Sequence, residues 1–304
     1  MKKLIAVSLI MAVMVAAGGC QTTGMVAKPT FLSPTPGLYV NGWPLFSVTY
    51  PKEWAVEQPL MPGMVLHTAA PRPSLPPSPS LVIAAFPNPG DVSGSASMVA
   101  MIFGQMGRKD VKVLYDKPSK LQDGTPAQEA EIEWVPPSGP KSNTFLLATQ
   151  KDGIWIWVSM DHDQGMIADD LKRVAYSLNV PQGKQEPAKL PPDVREFLDK
   201  FCKDIDSGDA AKVMTNFSDR YLYNGMKKGD QELWLRYSPY SPLTAGVTAN
   251  EVTVTMFEPQ GDKAYLAGFY AGKLKSGDPS PTPPIADNQL IKENGEWKWY
   301  GNQR

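Results

Sequence analysis

Residues 179–192 read "NVPQGKQEPAKLPP", and residues 191–209 read "PPDVREFLDKFCKDIDSGD". The first stretch is polar and rich in proline, which cannot continue a helix and stiffens a chain toward extended forms. The second places Val194, Phe197, Leu198, Phe201, Cys202 and Ile205 at i, i+3, i+4, i+7, i+8 and i+11, the spacing of one apolar helix face. Pro191 and Pro192 lead into this helix, Asp193 can cap its first amides, and Gly208 stands where a left-handed terminating residue is favoured. A linker that runs directly into a helix with both ends marked reads as a domain boundary. A chain of 304 residues accommodates two domains of ordinary size.

Downstream, a second helix is expected over 209–218 and a short third over 230–238. Strands follow near 246–258, 262–273, 286–293 and 296–301. The last two form a hairpin across "ENGE", where Asn294-Gly295 supplies the positive φ angles of a type I′ turn. Upstream, "PLFSVTYPKEW" (44–54) alternates Leu45, Ser47 and Thr49 against Phe46, Val48 and Tyr50, a strand ended by Pro51. Further strands are expected at 64–69, 80–86, 111–115, 127–135, 142–149 and 154–160, with helices over 95–106 and 166–178. Both halves therefore read as α+β. The Lys52-Glu53 pair beside Trp54 reads as solvated charge at a strand end.

The N-terminus carries Lys2 and Lys3, then an uncharged apolar run from Leu4 to Ala17, then "AAGGC" ending at Cys20. At about 14 residues the run falls short of the ~20 needed to span a bilayer as a permanent helix, so it reads as a secretory signal rather than a retained anchor. The small residues before Cys20 resemble the lipobox of bacterial lipoproteins. That resemblance implies removal of 1–19 and a diacylglyceryl group on Cys20, and two or three acyl chains on one residue hold stably to a membrane. The weaker alternative is a soluble secreted protein cut near Gly19. Gln21 after the cysteine implies, in a cell with two membranes, the periplasmic face of the outer one. Residues 20–42 read as a lipidated tether. With Cys20 acylated, Cys202 is the remaining cysteine of two, so no intramolecular disulfide is expected.

Two further resemblances concern the folded parts. Phe46, Val48, Tyr50, Pro51 and Trp54, the strand "GIWIWVSM" (153–160) and the closing "YSL" (176–178) resemble the PsbP and Mog superfamily over residues 43–180. This implies an αβα sandwich on an antiparallel sheet, used in relatives mostly to bind proteins, and carries over no catalytic residue. Beyond a linker at 181–191, residues 192–304 resemble the nuclear transport factor 2 superfamily, the cystatin-like cone, most clearly in the closing strands with Trp297 and Trp299. That implies a curved antiparallel sheet wrapped around helices, used for small ligands, for acid-base chemistry or for dimerisation.

The enzymatic members place His, Asp or Tyr inside the cone, yet the two histidines of this chain, His67 and His162, lie in the other domain. Phe197 and Phe201 occupy the helix positions that would face inward. CxxC, HExxH, Walker and GxSxG patterns are absent from the sequence. "DHD" at 161–163 offers two carboxylates around an imidazole, but neighbouring strand residues face opposite ways, and a solvated turn is the expected reading. Lys+Arg 30 against Asp+Glu 31 gives no basic stripe for nucleic acid. No cofactor or metal is implied.

Cys202, on the apolar helix face, reads as a small inert hydrophobe. Tyr221, Tyr223, Trp234, Tyr237 and Tyr240 form the best candidate ligand surface, since aromatics with polar tips line small-molecule pockets, although core packing also uses them. The expectation is a non-catalytic, membrane-anchored envelope lipoprotein that binds a protein partner. Binding or transformation of a small apolar ligand in the cone is the alternative.

Overall fold

The computed structural model describes residues 37–303 except 58–63, 70–79, 88–89, 137–139, 163–166, 168, 182, 224, 239–240 and 279–283. The expected signal segment, Cys20 and the expected tether up to residue 36 lie outside the described residues. Two compact units emerge: Ser47–Pro181 dominates the first, while Gln182–Arg304 together with Val40–Phe46 forms the second.

The first unit is built on a seven-stranded sheet, entered after a two-stranded pairing of β1 (Leu38–Gly42) with β2 (Leu45–Thr49). The sheet comprises β3 (Ala55–Glu57), β4 (Met64–Ala69), β5 (Ser80–Pro87), β6 (Lys109–Lys120), β7 (Pro126–Val135), β8 (Ser142–Lys151) and β9 (Ile154–His162). Its order is β3-β4-β5-β9-β8-β7-β6, antiparallel throughout. Helix α1 (Ser95–Gln105) lies on one face, where Val99, Ile102 and Phe103 pack with Ile132, Trp134, Leu146 and Trp157. Helix α2 (Asp169–Ala175) serves the other, with Tyr176 just beyond it 6.4 Å from Phe145. Covered faces explain why β8 and β9 read as continuous apolar runs: Phe145, Leu146, Leu147 and Ala148 are all buried. The architecture is the expected αβα sandwich.

Phe46, Val48 and Tyr50 are buried while Thr49 is exposed, as the alternation requires. Ser47 and Asn179 exchange both backbone hydrogen bonds at 2.9 Å, tying β2 to the end of the unit. Two expectations change here. The tether ends earlier than 42, because Leu38–Gly42 is a strand with Tyr39 buried. Among the described residues, the helix expected at 166–178 runs Asp169–Ala175.

In the second unit, α3 (Pro192–Asp206) buries Val194, Phe197, Leu198, Cys202 and Ile205, the expected face. Asp193 accepts the Val194 amide at 3.0 Å, and its other oxygen accepts Lys292 Nζ at 2.9 Å and Trp297 Nε1 at 2.8 Å. The helix start is thereby pinned to the closing hairpin, and Lys292 with Trp297 holds the Asp193 carboxyl below the usual range. Gly208 ends the helix at φ +71.

Helix α4 (Ala210–Met214) is shorter than the expected 209–218, and Phe217–Tyr223 is a strand, β10. The reason is local. Thr215 Oγ1 donates to the Lys212 carbonyl and Asn216 Nδ2 to that of Val213, consuming the acceptors a further turn would need, while the Asn216 carbonyl takes the Trp299 amide at 2.8 Å. After β11 (Met226–Lys227) come α5 (Lys228–Tyr237), β12 (Thr248–Gln260), β13 (Lys263–Lys273), β14 (Pro284–Glu293) and β15 (Glu296–Gly301). The six-stranded sheet runs β11-β10-β15-β14-β13-β12. It is not wholly antiparallel, because β10 pairs parallel with β15 through Phe217 opposite Trp299.

Register shifts between Val254 and Met256 and between Leu266 and Gly268 bend the sheet. At Gly268 a Cβ would stand 2.0 Å from the Thr253 carbonyl oxygen, so the bend requires glycine. Asn294 and Gly295, at φ +51 and +87, make the expected turn.

The segment expected to be a free linker is bonded within the second unit. The Ala188 amide donates to the Val254 carbonyl at 2.7 Å, and Gln185 receives the Leu45 amide and donates to the Gly42 carbonyl. In the same unit Thr255 Oγ1 donates to that carbonyl at 3.1 Å, and Trp43 lies 4.8 Å from Phe269. A protease should therefore nick near exposed Gly183 and Lys184 rather than throughout 179–189. The nicked products should co-elute on size exclusion, because Val40–Phe46 stays seated. Separate elution of two folded pieces would contradict that seating.

Candidate functional site

The expected cone resemblance places any acid-base chemistry in the interior of the second unit. That interior is occupied by an aromatic series: Phe197 and Phe201 meet Trp299 edge-on at 5.8 and 5.4 Å, Phe201 meets Phe217 at 6.1 Å, and Phe217 meets Tyr221 at 4.9 Å. Val252, Val254, Leu266 and Leu290 complete the packing. Among the described residues the buried Trp299 indole N–H has no hydrogen-bond partner. Burial raises the Tyr221 phenol. Tyr270 donates to Asn250, which donates to Asp206 Oδ1, but Asp206 itself is exposed, and burial holds the Tyr270 phenol high. These groups are arranged for packing and hydrogen bonding, with phenols that stay protonated.

The candidate aromatic set is divided by the fold. Tyr221 is buried, Tyr223 and Trp234 are half-buried against the same core, and Tyr237 is 74% exposed. Tyr240 lies outside the described residues. Tyr237 borders an open groove of about 580 Å³ with Asp209, Leu235, Arg236, Leu243 and Thr244. Tyr221 and Tyr237 therefore do not share one wall.

Cys202 is buried, and desolvation pushes its thiol up to about 12, with Asp206, Asp199 and Glu251 acting in the same direction. The thiolate is the reactive species, so native Cys202 should resist thiol reagents. Cys202→Ala should cost on the order of 1 kcal/mol, whereas Cys202→Asp buries an unpaired carboxyl and should cost several. Labelling of native protein at the rate of the denatured chain would refute this.

A polar cluster in the first unit escaped sequence reading. Glu129, Glu131 and Glu133 alternate along β7 with Ala130, Ile132 and Trp134, so the carboxylates share the face opposite α1. Glu129 is 3% exposed and accepts Lys172 Nζ at 3.0 Å, the Tyr115 hydroxyl at 3.1 Å and the Tyr176 hydroxyl, which in turn contacts Ser119 Oγ at 2.6 Å. Burial works to raise the Glu129 carboxyl, but the hydrogen bonds from Tyr176 and Lys172 win and hold it below its ordinary value. Burial, then the bond to Glu129, pushes Tyr176 up to about 12. Glu131 and His162, both buried, meet at 2.6 Å. The signal was present as acids at every second position of "EAEIEW", but alternation alone does not say that the polar face is covered.

"DHD" resolves as two residues of β9 on opposite faces plus Asp163, which is not described. His162 is buried in the strand, not in a solvated turn, because its ring is satisfied by Glu131. Asp161 points to the α1 face, accepting Thr144 Oγ1 at 2.5 Å and lying 3.7 Å from Arg108. Among the described residues no group of three or more His, Cys, Asp or Glu could hold a metal ion.

No family model and no curated protein matches the chain. It is similar to solved structures at the level of fold. One is the cyanobacterial PsbP (CyanoP) of Synechocystis sp. PCC 6803, at 14% identity over 55% of this chain and 99% of that one, with a TM-score of 0.35. Another is the Saccharomyces cerevisiae Ran-binding protein Mog1p, at 9% identity over 44% and 89%, TM-score 0.33. A third is described as a calcium/calmodulin dependent protein kinase II association domain from Xanthomonas campestris, at 18% identity over 40% and 94%, TM-score 0.30.

Proposed function

We propose that the chain is a membrane-anchored envelope lipoprotein, acylated at Cys20, that presents two α+β units as a non-catalytic binding or assembly module for a protein partner. The observation that carries the binding reading is the packed interior of the second unit, where Phe197, Phe201, Phe217 and Trp299 fill the space a substrate would need. Recognition is then left to outer surfaces. The anchor rests on "AAGGC" and the short apolar run before it. Cys20→Ala should leave the protein folded but move it from the membrane to the soluble fraction. Intact-mass analysis of membrane-extracted wild type should show the mass of acyl chains on a chain beginning at Cys20, and an unmodified cysteine would remove the anchor from the account.

A second reading, binding of a small apolar molecule, is favoured by the open groove beside Tyr237. A thermal-shift screen of apolar metabolites tests it: stabilisation lost in Tyr237→Ser would move the function to that groove.

A further inference from the structure

The open groove beside Tyr237 is walled by the ends of three helices. Helix α3 stops at Asp206 with Gly208 on the groove, α5 stops at Tyr237, and α4 begins at Ala210. Two of these ends are the C-termini of helices of 15 and 10 residues, so their dipoles present partial negative charge. The single N-terminal end belongs to the shortest helix and is already covered, because Asp209 Oδ1 accepts the Ala211 amide at 2.9 Å and the Lys212 amide at 3.4 Å.

The side-chain charges on the groove do not balance. Arg236 is the one cation lining it among the described residues, and it is closed on Glu232 one turn earlier, with Nε at 2.9 Å and Nη2 at 2.8 Å from the same carboxylate oxygen. Asp209 is exposed, and its Oδ2 has no partner among the described residues. Lys212 follows Asp209 on α4 and Lys275 lies against Gly246, but neither lines the groove or makes an ion pair with Asp209. One carboxylate is therefore left uncompensated beside two negative helix ends. The adjoining surface is apolar, from Ala210, Leu235 and Leu243, and the Tyr237 ring, 74% exposed, can offer its face to a cation.

We propose that this groove binds a small molecule made of an apolar body and a protonated amine. The body lies on Leu235 and Leu243, and the ammonium is taken by the Asp209 carboxylate and the Tyr237 ring. This names the ligand class for the second reading above and rests on it. The volume of about 580 Å³ suits such a molecule. An anion would meet the same carboxylate and the same helix ends with the wrong sign.

The test is calorimetric titration of the full chain, held in a non-ionic detergent near neutral pH, with phenethylamine, phenethyl alcohol and hydrocinnamate. These probes share one apolar body and carry a cation, a neutral group and an anion. Saturable binding of the amine is expected, with the alcohol at least about tenfold weaker and the carboxylate not bound. Asp209→Asn keeps the helix cap, since Asn serves that position as well as Asp, and should weaken the amine about tenfold while leaving the alcohol unchanged. Tyr237→Ser should weaken both. Both positions are exposed, so melting should show both variants folded. Alcohol binding as tight as that of the amine, or an Asp209→Asn variant that binds the amine as wild type does, would overturn the proposal and leave an apolar ligand standing. Failure of both amine and alcohol to bind, or binding unmoved by Tyr237→Ser, would overturn it and remove the groove reading beneath it.

Discussion

Trp299→Ala will be among the most destabilising single substitutions in this chain, costing about 3–5 kcal/mol. Trp299 is 3% exposed and touches Phe197 and Phe201, so its removal opens a void among rings on α3. Apolar cavities of this kind stay dry and accept aromatic guests. Indole should therefore raise the melting temperature of Trp299→Ala while leaving wild type unchanged. Stabilisation of wild type by indole that persists in Tyr237→Ser would mean that the interior is already open to ligands, and the packed-interior account would fail.

Glu129→Ala should cost a similar amount, about 3–5 kcal/mol, because it strands the Lys172 ammonium and the Tyr115 and Tyr176 hydroxyls around an empty buried position. The pH dependence follows from the direction of the shift. The folded carboxyl titrates below its unfolded value, so its stabilisation is complete above the ordinary glutamate range and is lost as pH falls through the lower folded value. Wild type should thus lose stability in acid, below about pH 4.5. Glu129→Gln should flatten that part of the profile. An unchanged acid limb in Glu129→Gln would show that the cluster does not couple protonation to folding.

Much of the architecture was legible because it rests on periodicity. The face of α3 from Val194 to Ile205, the alternation from Leu45 to Tyr50 and the turn at Asn294-Gly295 are local statements, and each is met in the fold. What could not be read depends on partners distant in sequence. The strand at Phe217–Tyr223 exists because the Asn216 carbonyl meets the Trp299 amide. The turn at Val40–Phe46 joins the second unit through Gln185 and Thr255. The candidate sites divide in the same way. Tyr221 and Tyr237 share a sequence neighbourhood but not a surface, while Glu129, Tyr115, Lys172 and Tyr176 meet only because two strands and a helix converge. Cys202 was legible because burial on one helix face is enough to decide its chemistry.

The central claim is that this protein works at a membrane by binding another protein. Photocrosslinking in intact membranes, with the reactive side chain placed in turn at exposed Met101, Tyr237 and Lys52, tests it most directly. The account predicts a discrete protein adduct from at least one of these positions, and its loss in Cys20→Ala. Absence of any protein adduct, or an adduct that forms equally well after Cys20→Ala, would contradict it.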